Sequence, residues 1–254
     1  MSASIVASGI CKAFTSRSGV LVEALGGVSL MAQPGSLTCV LGPTGSGKST
    51  LLRVIAGLEE ADSGDARVEG KAPADLKGSI GYLTQQHTLL PWLRVRENIA
   101  LPMRLRGARP AERQERARQI AVSLGLEDSL ELYPYELSGG MQRRAAIGRL
   151  LAQDARYWLL DEPFANLDER TSHSLQQLLL GLVKEHGLTV IFVTHSVDEA
   201  AWLSDHIIVL STGPGRIIEE FEPAIARPRR RLSEDYGSVM ERIRKSLESV
   251  LGDE

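Results

Sequence analysis

The sequence has few cysteines and no long apolar run. Cys11 and Cys39 are its two cysteines in 254 residues, and their separation excludes a C-x-x-C motif. Such low usage is typical of a reducing compartment. No stretch reaches the roughly 18 uninterrupted apolar residues that a membrane-spanning helix needs. Residues 1–4 lack the basic and apolar regions of a secretion signal, so we expect a cytoplasmic protein.

A strong net charge is also missing. Lys and Arg number 29 against 32 Asp and Glu, which gives a formal charge of −3 and no indication of a nucleic-acid partner. Hydrophobic residues make up 43% and charged residues 24%, the proportions of a globular protein rather than a disordered one. The sequence shows no internal repeat and no low-complexity tract. Its length allows one large domain or two small ones.

The stretch from Gly42 to Thr50 matches the phosphate-binding pattern G-x-x-x-x-G-K-[ST]. Residues 37–41 before it form a short apolar run typical of a buried strand, and residues 49–56 after it have apolar positions at helical spacing. Glycines let the loop curl so that its N–H groups point inward, and the helix N-terminus adds positive potential there. We therefore expect Lys48 to reach the β- and γ-phosphates of a nucleotide and Ser49 to ligate Mg²⁺. The alternative is a chance glycine-rich turn, which the flanking strand and helix disfavour.

Short strands joined by turns are predicted before this loop. Residues 5–7, 20–22 and 28–31 have strand composition, and Gly26-Gly27 is typical of a turn between two of them. Their close spacing indicates an antiparallel patch. Phe14 falls in the first connection, where an aromatic side chain usually packs on the core, with nucleotide stacking as the alternative.

A helical insertion is predicted in the middle of the chain, from about residue 87 to 140. Apolar residues recur at helical spacing over 95–105 and 111–124, where charge is dense. We expect prolines, Pro102 among them, to break this region into pieces.

The segment that follows the insertion offers a second place for an anion. Ser138, Gly139 and Gly140 stand at the N-terminus of a helix predicted from about residue 142 to 151. A plain serine cap with a flexible glycine pair is the alternative.

Two further strands end in side chains that suit phosphate chemistry. An apolar strand ends in Asp161 and Glu162, where the aspartate can hold Mg²⁺ through water and the glutamate can polarise an attacking water. Solvated loop acids are the alternative. His195 directly follows the apolar run 188–194, and a histidine there can contact the γ-phosphate.

The last part of the chain changes composition from residue 223. Arg227 to Arg231 form a basic linker, which we interpret as a solvated face rather than a lipid or RNA site. After it, apolar residues at helical spacing predict a short amphipathic helix that packs on its own domain or on a partner. These positions are Tyr236, Val239, Met240, Ile243, Leu247 and Val250.

The order of these motifs resembles the ATP-binding subunit of an ABC transporter, over residues 5 to about 221. The resemblance implies ATP and Mg²⁺ as cofactors and ATP hydrolysis as the activity. The implied catalytic residues are Glu162, His195, Gln85 and Lys48. The implied nucleotide-binding residues are Phe14, Gly42, Pro43, Thr44, Gly45, Ser46, Gly47, Lys48, Ser49, Thr50, Ser138, Gly139, Gly140, Gln142 and Asp168, and the implied Mg²⁺ ligands are Ser49, Gln85 and Asp161.

The same resemblance implies a fold and an organisation of domains. We expect an α/β P-loop NTPase with a RecA-like core, an N-terminal antiparallel β subdomain and an inserted α-helical subdomain. The ATP-binding domain would cover residues 4–222, and residues 223–254 would form the basic linker and tail helix. Met141 lengthens the signature, as in many importers, and Ala155 stands where many relatives have proline.

Three segments are similar to the nitrate, sulfonate and taurine importers: residues 89–93, 211–217 and 227–229. The resemblance implies a head-to-tail homodimer in which Ser138, with the two glycines after it, caps the ATP of the partner. It also implies membrane permease subunits, a periplasmic solute-binding protein, and a position on the inner face of the cell membrane. An exporter subunit remains an alternative, as does a non-transport ABC ATPase. The 90 residues from Lys48 to Ser138 leave no room for the long coiled coil of DNA-repair members.

Residues 89–93 form an apolar cluster that carries no acid, base or nucleophile. Leu89, Leu90, Trp92 and Leu93 follow Gln85 closely, and a soluble domain seldom leaves such a surface bare unless a partner covers it. In the family this segment borders the groove for a permease helix, so we expect Trp92 first among them to make that contact. Burial within the helical insertion is the alternative.

Overall fold

The computed structural model describes residues 4–16, 19–76, 78–85 and 89–251. In chain order the strands are β1 (Ile5–Thr15), β2 (Leu21–Ala32), β3 (Leu37–Leu41), β4 (Ser63–Val68), β5 (Ile80–Leu83), β6 (Tyr157–Asp161), β7 (Thr189–Thr194), β8 (His206–Leu210) and β9 (Ile217–Phe221). The helices are α1 (Lys48–Ile55), α2 (Val95–Leu105), α3 (Pro110–Ser123), α4 (Gly139–Gln153), α5 (Glu169–His186), α6 (Val197–Leu203) and α7 (Glu234–Leu251).

The chain divides into two compact units. The first comprises residues 1–77 and 187–254, and the second comprises residues 78–186. The domain bounds expected from the sequence remain predictions, and residue 87, the expected start of the insertion, lies outside the described residues. Within the described part of the chain, no helix is both long and apolar enough to cross a membrane.

The first unit combines an antiparallel sheet with parallel strands. β1 pairs antiparallel with both β2 and β4, as the sequence predicted for the N-terminal region. β3 lies between β7 and β8, parallel to both, and β9 continues antiparallel beside β8. Every residue of β3 and β7 is buried, which explains why both read as near-continuous apolar runs. Cys39 on β3 is a buried packing residue, and burial raises the pKa of its thiol.

The second unit contains the predicted helices and two more parallel strands. β5 runs parallel to β6, whose five residues are all buried. α2 packs against α3 and α4, and its buried face carries Val95, Ile99 and Met103 at a spacing of four. The α/β fold class, the antiparallel patch and the helical region are thus confirmed.

The prediction of three short N-terminal strands was wrong in detail. β1 extends to Thr15 and therefore includes Phe14, which the sequence had suggested lies in a connection. β2 runs through Gly26-Gly27 without a turn, because Ile10 pairs with Val28 and Cys11 with Gly26. Gly27 is the extra residue of a β-bulge, and pairing with β1 keeps the strand continuous.

Two helical expectations also need correction, and one helix was not predicted. Pro102 does not break the insertion, because α2 continues through it to Leu105. The proline costs one backbone hydrogen bond, and the burial of Val95, Ile99 and Met103 on the same helix offsets that loss. α4 begins at Gly139 rather than near residue 142. α5 went unpredicted, although Leu175 and Leu179 give it a buried stripe at helical spacing.

The basic linker is a solvated face only in part, because Arg227 and Arg230 are exposed while Arg229 is only 7% exposed. Its guanidinium donates to the carbonyls of Ala201 at 2.7 Å and Ser204 at 2.6 Å, at the C-terminal end of α6. A cation suits that end of a helix, where carbonyl groups lack partners. The tail helix α7 packs on its own unit, as one of the two alternatives predicted, through the Tyr236 hydroxyl, which donates to Asp198.

Candidate functional site

The predicted phosphate loop has the expected strand, turn and helix around it. β3 ends at Leu41, and α1 begins at Lys48 with Gly47 as its cap. Gly47 has φ of 81°, and a Cβ atom there would lie 2.4 Å from the carbonyl oxygen of Ala24. Only glycine fits here, because the backbone is left-handed and because no room remains for a Cβ atom. Gly47 has no side chain with which to cap α1. The N-terminus of such a helix is a place where anions bind, because backbone N–H groups and the helix dipole both favour negative charge there.

The side chain of Lys48 folds into this loop. Its Nζ donates to the carbonyl oxygens of Gly42 at 2.8 Å and Pro43 at 2.7 Å, and it is 5% exposed. Ser46 is fully buried, and its hydroxyl also accepts from Nζ at 3.3 Å. The ammonium is thus held against the carbonyls of the loop, so that a phosphate bound in the loop would meet a positive charge.

His195 lies directly after β7 in the same unit, and its side chain is exposed. The Thr194 hydroxyl before it donates to the Glu199 carboxylate, and it accepts from the Ser196 amide at 3.0 Å. Ser196 in turn caps α6 by accepting from the Glu199 amide. This network fixes the turn on which His195 stands. Glu199 was not among the site residues expected from the sequence.

Phe14 lies near the end of β1 and is 38% exposed. The Nζ atom of Lys12 lies 5.4 Å from the centre of its ring. An open aromatic face with a cation beside it can stack a base, and it can equally be a surface packing residue. The role of Phe14 therefore stays a prediction.

In the second unit, the structure brings the predicted glutamine and glutamate together. Gln85 follows β5, Glu162 follows β6, and the Gln85 Nε2 donates to the Glu162 Oε2 at 3.0 Å. Asp161 is 3% exposed, and the Tyr82 hydroxyl lies 3.4 Å from its Oδ2. Because Asp161 ends the strand and Glu162 follows it, the two carboxylates have different surroundings.

Glu162 has an unusual backbone, with φ of 45°. Few residues other than glycine adopt this left-handed conformation, and it costs roughly 1–3 kcal/mol where it occurs. Such backbone strain clusters at functional sites, where the surrounding structure holds it in place. The conformation of Glu162 therefore supports its prediction as a reacting-site residue.

The predicted signature lies at the start of α4. Ser138 is its N-cap and accepts from the Met141 amide at 3.4 Å. The serine therefore acts as the helix cap that was the alternative to anion binding. Gly140 packs so closely on α5 that a Cβ atom there would lie 2.3 Å from Cγ2 of Thr171. Gly139 is exposed, and a Cβ atom on it would lie 3.4 Å from Leu167. The signature thus touches the loop that contains Asp168.

Two predicted nucleotide-binding side chains have partners within the chain. Gln142 donates through Nε2 to the carbonyls of Pro134 at 2.8 Å and Leu137 at 3.2 Å. Asp168 accepts from the Thr171 amide at 3.0 Å, and hydrogen bonds from the Thr171 hydroxyl and amide lower the pKa of its carboxyl. These bonds stabilise the loops before α4 and α5. Nucleotide binding by either side chain remains a prediction.

The apolar cluster at residues 89–93 divides between burial and exposure. Leu89 is 7% exposed and Trp92 is 69% exposed, while Leu90 and Leu93 are half-buried. Burial was the alternative for this cluster, and it holds for Leu89. Trp92 presents a large apolar surface.

Comparisons with known proteins give a consistent result. The sequence profile described as "ABC transporter" matches residues 25–165. An uncharacterized ABC transporter ATP-binding protein of Methanocaldococcus jannaschii is 42% identical over 93% of this chain and 87% of its own length. A taurine import ATP-binding protein of Chromobacterium violaceum is 42% identical over 82% of this chain and 80% of its own. An aliphatic sulfonates import ATP-binding protein of Bacillus cereus is 36% identical over 94% of both chains.

Among solved structures, a dimeric ATP-binding cassette in a post-hydrolysis state, bound to ADP and phosphate, superimposes with a TM-score of 0.77. It is 32% identical to this chain, and the match covers 86% of this chain and 98% of that one.

Proposed function

This chain belongs to the ABC transporter family, and on that premise we propose that it powers the import of taurine, another sulfonate, nitrate or a similar small solute. ATP binding and hydrolysis are the activities of the cassette itself. The observation that carries the proposal is the similarity to taurine and sulfonate import proteins, which extends over most of this chain rather than over the phosphate loop alone.

The proposed roles of the site residues follow from their chemistry. The phosphate loop, Gly42 to Thr50, would cradle the phosphates, and Lys48 would neutralise charge on the γ-phosphate. Glu162 would orient the attacking water, with Gln85 beside it, and His195 would contact the γ-phosphate. Phe14 would stack on the adenine.

Mg²⁺ is the metal that fits the proposed ligands. Ser49 supplies a hydroxyl oxygen, Asp161 a carboxylate and Gln85 an amide oxygen, and these are the hard donors that Mg²⁺ prefers. Because the Gln85 Nε2 donates to Glu162, its oxygen is the atom that would act as ligand. When bound, the ion would neutralise charge that develops on the phosphates. The side chains of this chain would hold it and orient the nucleotide.

The working unit that we propose is a homodimer bound to a membrane permease. Ser138, Gly139 and Gly140 would meet the γ-phosphate of ATP on the partner subunit, together with Gln142 and Asp168 nearby. Closure of the dimer on ATP and its opening after hydrolysis would drive a permease at the inner face of the membrane. A periplasmic solute-binding protein would deliver the solute.

Uptake by whole cells tests this function. We expect cells whose chromosomal copy carries Lys48→Ala to lose uptake of one solute in a panel of labelled taurine, an alkanesulfonate and nitrate. Lys71→Ala, which changes an exposed lysine of the same unit, is the control and should leave uptake unchanged. Unchanged uptake of all three solutes in the Lys48→Ala cells would contradict the proposed substrate class. Increased accumulation would indicate an exporter.

A further inference from the structure

Arg143 is a residue of the second unit that has none of the roles proposed above. It lies near the start of α4, four residues after Gly139, and its side chain is half-buried. Burial lowers the pKa of its guanidinium, while the charges of Asp161 and Glu162 oppose that shift. A half-buried guanidinium needs its N–H groups satisfied, so its partners show what it holds in place.

Those partners are backbone carbonyls of two separate catalytic segments. Nη1 donates to the Thr84 carbonyl at 3.0 Å, and Nη2 donates to the Gln85 carbonyl at 2.8 Å. Nη2 also lies 3.3 Å from the carbonyl oxygen of Glu162. One side chain on α4 therefore ties the main chain after β5 to the main chain after β6.

These are the same two segments whose side chains meet. Gln85 donates to the Glu162 carboxylate at 3.0 Å, and Glu162 has the left-handed backbone that tertiary contacts must hold. A change at the Glu162 carbonyl would rotate the peptide next to that backbone and move the carboxylate. Misplacement by about 1 Å can lower a reaction rate on the order of 100-fold.

We propose that Arg143 is a positioning residue for ATP hydrolysis, which sets the carboxylate of Glu162 by holding the main chains of Gln85 and Glu162 against α4. The inference rests on the proposed role of Glu162.

A variant and a matched control separate positioning from folding. Arg143→Met keeps much of the side-chain length but removes every donor. Arg106→Met is the control, because Arg106 donates to the carbonyls of Ala152 at 2.7 Å and Gln153 at 2.5 Å, at the other end of α4. Both substitutions remove an arginine that donates to backbone carbonyls of the second unit. Only Arg143 contacts the catalytic segments.

For Arg143→Met we expect kcat to fall on the order of 10- to 100-fold, with the Kd for ATP within about twofold of wild type. Its ATP-bound dimer should accumulate in gel filtration, because slow hydrolysis delays its separation. Arg143→Gln should recover part of kcat, since its amide keeps two N–H donors. Arg106→Met should lower the melting temperature but leave kcat within about twofold of wild type.

Three results would overturn the inference. One is a kcat for Arg143→Met within about twofold of Arg106→Met. The second is a loss of ATP affinity that equals the loss of kcat, which would indicate general disruption. The third applies if Arg143→Met does not fold. In that case, an Arg143→Gln protein that has wild-type kcat and accumulates no ATP-bound dimer would overturn the inference. Wild-type turnover by Glu162→Gln would instead refute the proposed role of Glu162, so the two failures are distinguishable.

Discussion

Replacement of Arg229 by methionine should destabilise the protein although Arg229 has no part in the proposed chemistry. The guanidinium is 7% exposed and donates to the Ala201 and Ser204 carbonyls at the end of α6. Methionine fills a similar volume but cannot donate, so both carbonyls lose their partner.

The size of the effect follows from two opposing contributions. A buried group left without its partner costs about 1–3 kcal/mol, so that two carbonyls cost about 2–6 kcal/mol. Burial of a charge is itself unfavourable, and it lowers the pKa of Arg229 to about 10. Methionine carries no charge and avoids this cost, which offsets part of the loss in the free energy of unfolding. We therefore expect the free energy of unfolding to fall by about 2–4 kcal/mol.

Urea denaturation followed by circular dichroism measures this change, and the neighbouring residue supplies the control. Arg230 is exposed, so Arg230→Met should alter the free energy of unfolding by less than about 0.5 kcal/mol. If the two variants are equally stable, the carbonyl contacts of Arg229 do not stabilise the fold, and the reasoning is refuted.

Two further predictions concern the dimer and the permease. Ser138→Arg should abolish hydrolysis, because the new cation would occupy the place of the partner's γ-phosphate. The affinity of the single subunit for ATP should stay nearly unchanged. An equal loss of affinity in the monomer would show that Ser138 serves its own subunit. Trp92→Arg should leave folding and ATP affinity intact, since Trp92 is 69% exposed, while co-purification with the permease and uptake fall. Leu89→Arg, at a position that is 7% exposed, should instead unfold the protein. A Trp92→Arg protein that assembles and transports normally would exclude this contact.

The phosphate loop could be predicted because its determinants are local. A buried strand, glycines at fixed places and a helix start are all encoded within residues 37–56. The acidic pair could be predicted for the same reason, since an apolar strand directly precedes Asp161.

Features that depend on distant partners could not be predicted. Gly26-Gly27 has the composition of a turn, but pairing with β1 makes it part of a strand. Arg229 belongs to a charge run that is usually solvated, yet carbonyls at the end of α6 bury it. The sequence places Arg143 within the helix predicted from about residue 142 to 151, and only the tertiary structure shows that it contacts Gln85 and Glu162.

Gel filtration of the Glu162→Gln protein, with and without ATP, tests the central claim most directly. If Glu162 orients the attacking water and ATP joins two subunits, this variant binds ATP without turnover. It should then run as a dimer with ATP and as a monomer without it. Wild type should remain mainly monomeric, and Lys48→Ala should stay monomeric because it cannot hold the nucleotide. A Glu162→Gln protein that hydrolyses ATP at the wild-type rate, or that stays monomeric with ATP bound, would contradict the account.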